Sequence, residues 1–180
     1  MQRHGFIHDM MDVKVLILYV MARTMFPLSD QEIYELCYQD ECLSYFDVCT
    51  AIPQLVESGH LEAADAEKYR ITEKGREQGE ITQDTVAFTV RRRAETAVEK
   101  FNRERRRLSK LNTQLLPREN GEFGVVMEMN DEVGSLMKLE MMATSQQQAI
   151  RLAKQFEKRA ELLYELVVET LWDEADESGQ

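Results

Sequence analysis

The sequence predicts an α+β fold: an N-terminal helical part closed by a short hairpin, a long linking helix, and a small antiparallel sheet with a C-terminal helix. Three observations predict it. Apolar stripes at helical spacing, opened by capping signatures, occupy the first 60 and the last 35 or so residues. Alternating apolar and polar residues fill the stretch between Thr113 and Met142. Between these regions, residues 82–112 contain neither Gly nor Pro.

The first helix is expected from Asp9 to Met25, with Val13, Leu16, Ile17, Val20 and Met21 on one face. Pro27 ends it. Ser29 and Glu32 form an S-x-x-E capping box for a second helix, whose apolar face is Ile33, Leu36 and Cys37. A third helix starts at Ser44, where Asp47 takes the back-bonding role of the box. Val48, Cys49, Ile52, Leu55 and Val56 are expected to point inward, Pro53 to kink or restart the helix, and Gly59 to stop it. His60–Glu62 and Lys68–Ile71 are short strands around a polar tip, Ala63–Glu67, and Thr72 caps a fourth helix. Three helices, a hairpin and a further helix make the order of a winged helix-turn-helix.

Residues 82–112 read as one basic helix. Val90, Ala94, Ala97, Phe101 and Leu108, continued by Leu111 and Leu115, follow heptad spacing and form a candidate homodimer seam; the alternative is packing against the chain's own domains. Thr113–Leu116, Glu122–Met129 and Ser135–Met142 are strands, the last two joined by a turn at Asn130–Gly134. Ser145 with Gln148 caps a final helix with the stripe Ala149, Ala153, Phe156, Ala160, Leu163, Val167 and Leu171. The expected domains are therefore 1–81 (winged helix-turn-helix), 82–112 (basic helix), 113–173 (three-stranded sheet plus helix) and 174–180 (acidic tail).

Several segments taken together resemble bacterial winged-helix regulators. They are Lys14-Val-Leu-Ile-Leu-Tyr-Val-Met21, Pro27-Leu-Ser-Asp-Gln-Glu-Ile33, Leu55-Val-Glu-Ser-Gly-His-Leu61 and Tyr69-Arg-Ile-Thr-Glu-Lys-Gly75. Over residues 9–172 the chain also resembles a family of Gram-positive bacteria classed only as a domain of unknown function, through Ser44-Tyr-Phe46 and Gln146-Gln-Gln-Ala-Ile150 to Leu163-Tyr164. Pro53 and Phe156 depart from it, since the resemblance implies an unbroken third helix and a tryptophan at the second position. The resemblance implies a fold and no activity.

Charge bears on function. The net charge is -11. Residues 1–80 hold 7 Lys+Arg against 15 Asp+Glu, residues 81–110 hold 9 against 4, and residues 111–180 hold 6 against 14, giving -8, +5 and -8. Indiscriminate nucleic-acid binding is disfavoured by that sum. If the third helix reads duplex DNA, Tyr45, Thr50 and Gln54 are its base-facing candidates, but it has no Lys or Arg, and Asp47 and Glu57 on its outward side would repel phosphates. Lys68, Arg70, Arg91, Arg92 and Arg93 are the candidate phosphate contacts; Arg103, Arg105, Arg106 and Arg107 form a second cationic cluster. The alternative is a protein-interaction module.

Other classes find little support. Cys37, Cys42, Cys49 and His60 lack a C-x₂-C grip, so no metal is expected, and His4 and His8 lie near the N-terminus. The methionines Met127, Met129, Met137, Met141 and Met142 read as sheet packing. No nucleophile elbow, phosphate loop or dinucleotide fingerprint occurs, so neither catalysis nor a cofactor is expected. The longest apolar run, Val15–Ala22, is too short to span a bilayer, and without a secretion signal or a disulfide framework the expected location is the cytoplasm.

Overall fold

The computed structural model describes residue 7 and residues 9–38, 43–65 and 67–172. Cys42, His4, His8 and the acidic tail after residue 172 lie outside the described residues. The chain is mixed α+β and divides into two compact units, residues 1–104 and 105–180.

The first unit is built around α1 (Met10–Arg23). Asp9 caps it by accepting from the Met11 and Asp12 amides at 2.8 and 3.0 Å. Sequence periodicity marks one apolar face, but the helix is enclosed more widely: every residue from Val15 to Met21 is buried. A continuous Val-Leu-Ile-Leu-Tyr-Val-Met run suits a helix surrounded on most sides. Around it stand α2 (Asp30–Cys37), α3 (Tyr45–Glu57) and α4 (Glu73–Thr82). Both α2 and α3 open with complete capping boxes, Ser29 with Glu32 and Ser44 with Asp47.

Between α3 and α4 lies an antiparallel hairpin, β1 (Leu61–Asp65) and β2 (Lys68–Ile71). β1 starts one residue later and runs three further than expected, which shortens the tip. Leu28 adds a one-residue third strand: its N–H donates to the Tyr69 carbonyl at 3.0 Å, and the Tyr69 N–H returns the bond at 2.8 Å. Pro53 does not break α3, which is helical throughout its length. Its ring is exposed.

The expected helix over 82–112 is shorter. A 3₁₀ turn at Gln83–Thr85 separates α4 from α5 (Phe88–Ser109). Val86, extended and buried, fixes that break. At the other end Leu111 and Asn112 are drawn into a sheet by pairing with Met129 and Glu128.

The second unit is a three-stranded antiparallel sheet in the order β3 (Leu111–Pro117), β4 (Phe123–Asn130), β5 (Ser135–Ala143). α6 (Gln146–Leu171) packs on one face, and Val125, Met127, Met137, Ala149, Phe156 and Ala160 form the core between them. Ser145 caps α6 as expected, accepting from the Gln148 amide at 3.2 Å. The helix bends at Arg159, where φ is -134° and ψ 16°. Beyond the bend the predicted stripe loosens, and Leu171 is 81% exposed. Of the sheet methionines, Met127 and Met137 are buried, whereas Met141 and Met142 are exposed. Among the described residues no helix is long and apolar enough to cross a membrane.

Burial separates the cysteines. Cys37 is enclosed, and desolvation pushes its thiol far above the ordinary range. Cys49, expected inside, is only half-buried. Alkylation of the native protein at about pH 8 should therefore spare Cys37 and modify Cys49, with Cys37 reacting only on unfolding. Peptide mass mapping before and after denaturation checks this.

Candidate nucleic-acid interface

On α3 the decisive side chain is Asp47. Its Oδ2 accepts from the Ser44 amide at 3.1 Å and the Ser44 hydroxyl at 2.8 Å, while the Asp47 amide donates to Ser44 Oγ at 3.2 Å. Asp47 is only 6% exposed. The expectation that it lies on the outward side is thus corrected: the cap draws the carboxylate inward. Glu57 is the one carboxylate of α3 that stays exposed.

The remaining outward surface is neutral and aromatic. Tyr45, Phe46 and Gln54 are exposed, and Thr50 is half-buried. The Thr50 hydroxyl donates to the Phe46 carbonyl at 2.8 Å, which leaves its oxygen lone pairs as acceptors. The Tyr45 ring meets Tyr34 edge-on at 5.6 Å, and Tyr34 meets Tyr38 at 5.3 Å. A hydrogen bond with the Cys49 thiol and the charge of that group, then desolvation and last the Asp30 carboxylate, hold the Tyr45 hydroxyl above its usual pKa.

The cations are distributed unevenly. Lys68 and Arg70 share one face of β2, but in register Arg70 faces Glu62 and Lys68 faces Asp65. Lys74 donates to the Ser58 carbonyl at 2.7 Å and Arg76 to the Ala22 carbonyl at 2.9 Å, so both serve helix ends. Arg91 is held by Asp84 at 2.6 Å. Together with the exposed Arg92 it lines a shallow groove of about 390 Å³ beside Tyr19, Phe88 and Glu95, to which neither α3 nor the hairpin contributes. Arg93 is exposed on the same helix. In the second unit Arg107 pairs with Glu161 at 3.2 Å. The structure therefore gathers Tyr45, Thr50 and Gln54 on one helix and Lys68 and Arg70 on one strand, and sets Arg91 and Arg92 in a different groove.

The heptad residues have another use. Val90 and Ala94 are buried in the first unit's own core, with Val98 completing the stripe, and Ala97 and Phe101 pack against it. The side-chain amide of Asn102 ties α5 to the end of α1, donating to the Arg23 carbonyl at 2.9 Å and accepting from the Met25 amide at 3.1 Å. Leu108 is half-buried, while Leu111 and Leu115 belong to β3. Sequence reasoning missed Val98 and Asn102; the 4-4-3 spacing of 90, 94, 98 and 101 was the available signal.

No curated protein and no solved structure matches the chain. The family described as a domain of unknown function, DUF4364, matches residues 13–171. That span takes in α2 to α6, both sheets and most of α1, and the chain belongs to the DUF4364 family.

Proposed function

We propose that this protein is a winged-helix transcriptional regulator that binds duplex DNA, with α3 as the reading helix and the β1–β2 hairpin as the wing. The order of three helices and a hairpin, with Leu28 bridging to β2, supports the assignment of the parts. One observation carries the reading: Asp47 is withdrawn into the Ser44 cap, which turns its carboxylate away from the surface that would meet the phosphates. Tyr45, Thr50 and Gln54 then face the bases, and Lys68 and Arg70 face phosphates. Arg91, held by Asp84, and Arg92 are left out of the contact set because they line a groove to which neither α3 nor the hairpin contributes.

Capture of genomic fragments at low salt, followed by fluorescence anisotropy on the retained sequences, tests this. Lys68→Ala with Arg70→Ala should weaken binding of all sequences alike by about tenfold and reduce the salt slope by about 2. Gln54→Ala should instead relax base preference, at a cost of about 1–3 kcal/mol for the preferred site only. A wild-type protein that retains no DNA at low salt ends this reading.

A second reading is favoured by the aromatic surface. Phe46 is 77% exposed, Tyr38 and Tyr45 are exposed as well, and α3 supplies no cation. Aromatic anchors of this kind suit a protein partner. A nuclease-resistant complex lost on Phe46→Ala, in a protein that fails to bind DNA, would select it.

A further inference from the structure

We propose that β5 is a homodimer interface, its outer edge pairing antiparallel with β5 of a second copy about a two-fold axis through Leu139. β5 is the last strand of its sheet, and among the described residues no backbone group pairs with its outer side. An edge of nine residues without proline is a ready template for another strand. The usual protection is thin: its only charges are Lys138 and Glu140, while Leu136, Met141 and Met142 are exposed.

The strand's sequence names its occupant. Folding Ser135–Ala143 back on itself about Leu139 sets Lys138 opposite Glu140 of the second copy, and the symmetry repeats the pair. The same operation sets Leu136 opposite Met142, Met137 opposite Met141 and Leu139 opposite itself. Each charge meets its opposite and each large apolar side chain meets another. The ion pairs already present extend the pattern. Lys138 bonds Glu128 on β4 at 2.6 Å, and Glu140 approaches Arg118 at 3.5 Å. Pairing would join these into an alternating row, Glu128, Lys138, then Glu140 and Arg118 of the second copy. A shift of the register by two residues would break it.

The face toward α6 agrees. Directly beside the edge, an apolar groove of about 280 Å³ is lined by Met141, Phe156, Leu162 and Leu166, among others. Leu162 and Leu166 are half exposed, one helical turn apart. A two-fold axis perpendicular to the sheet keeps both α6 helices on one side, so these leucines and Met141 would cover their counterparts. Burial of this stripe supplies the apolar area that strand pairing alone lacks. The inference does not depend on whether the first unit binds DNA, and it gives a dimer a surface that does not draw on the buried Val90 and Ala94.

Sedimentation of the full chain tests it through two charge reversals. Glu140→Lys places lysines opposite lysines, and Lys138→Glu places glutamates opposite glutamates. Each variant alone should fall to monomer, its dissociation constant raised at least about tenfold. Each should keep the wild-type circular dichroism, since the altered residues are exposed. Mixing the two should restore a dimer, with lysines on one strand facing glutamates on the other. A monomeric wild type at high concentration, variants that still dimerise alone, or a mixture that stays monomeric would each overturn the proposal.

Discussion

Gly75→Ala is expected to destabilise the first unit by about 3 kcal/mol or more, lowering its Tm by roughly 12–24 °C. A Cβ built at this position would lie 2.1 Å from the His60 carbonyl oxygen and 2.8 Å from Ile71 Cγ1. Retreat of the carbonyl is blocked by its partners, because it accepts from both the Thr72 amide and the Thr72 hydroxyl at 3.1 Å. The same hydroxyl accepts from the Gly75 amide at 3.1 Å to cap α4. Moving either strand of this junction therefore breaks the cap or the hairpin closure. Gly79, one turn on, is the control. Its added Cβ would meet Leu18, at 3.4 Å from Cβ, 3.5 Å from the carbonyl oxygen and 3.6 Å from the carbonyl carbon, all ordinary contact distances. Within a helix that change should be neutral or gain about 0.5–1 kcal/mol. Thermal unfolding should thus separate the two variants, with a large loss at Gly75 alone; an equal loss in both would show that close approach at Gly75 is not what selects glycine there.

That junction was legible in the sequence as Tyr69-Arg-Ile-Thr-Glu-Lys-Gly75, because cap, strand end and glycine are local signals. So were the capping boxes and the alternating strands. Asp47 shows where local reading divides against itself. Spacing along α3 sets it on the outward side, while the S-x-x-D pattern turns its carboxylate back to the Ser44 amide, and the hydrogen bonds decide the matter. The break before α5 could not be read, since no proline or glycine marks it. It exists because Val86 gains more from burial than from helical continuity, a tertiary effect that propensity does not contain. Heptad and straight-helix spacing differ by too little over three turns to choose between a partner and the chain's own core. Ala97 and Val98 are neighbours in sequence, and packing against the first unit selects Val98 for full burial. The self-complementary pattern of β5 lay in the sequence throughout. It acquires meaning only once the sheet order makes β5 an edge.

Phe156→Ala should cost the second unit about 3–5 kcal/mol. The ring is 4% exposed and sits on α6 facing the sheet, in a core otherwise made of small and flexible side chains such as Ala149, Ala160, Met127 and Met137. Alanines at 149 and 160 let the helix approach the strands closely, which concentrates the packing on Phe156. Phe156→Trp should behave differently, although it also changes the volume. One side of Phe156 opens on the groove between β5 and α6, about 280 Å³ bounded by Leu152, Leu163 and Met127 as well as the exposed leucines. An enlarged ring has room there without forcing the sheet apart, so the expected cost is under about 1.5 kcal/mol. Denaturant titration of both variants, with the slope held in view to exclude a changed denatured state, separates a filled groove from a strained core. A tryptophan variant as unstable as the alanine one would mean that the groove is closed to the ring and that Phe156 is bounded on every side.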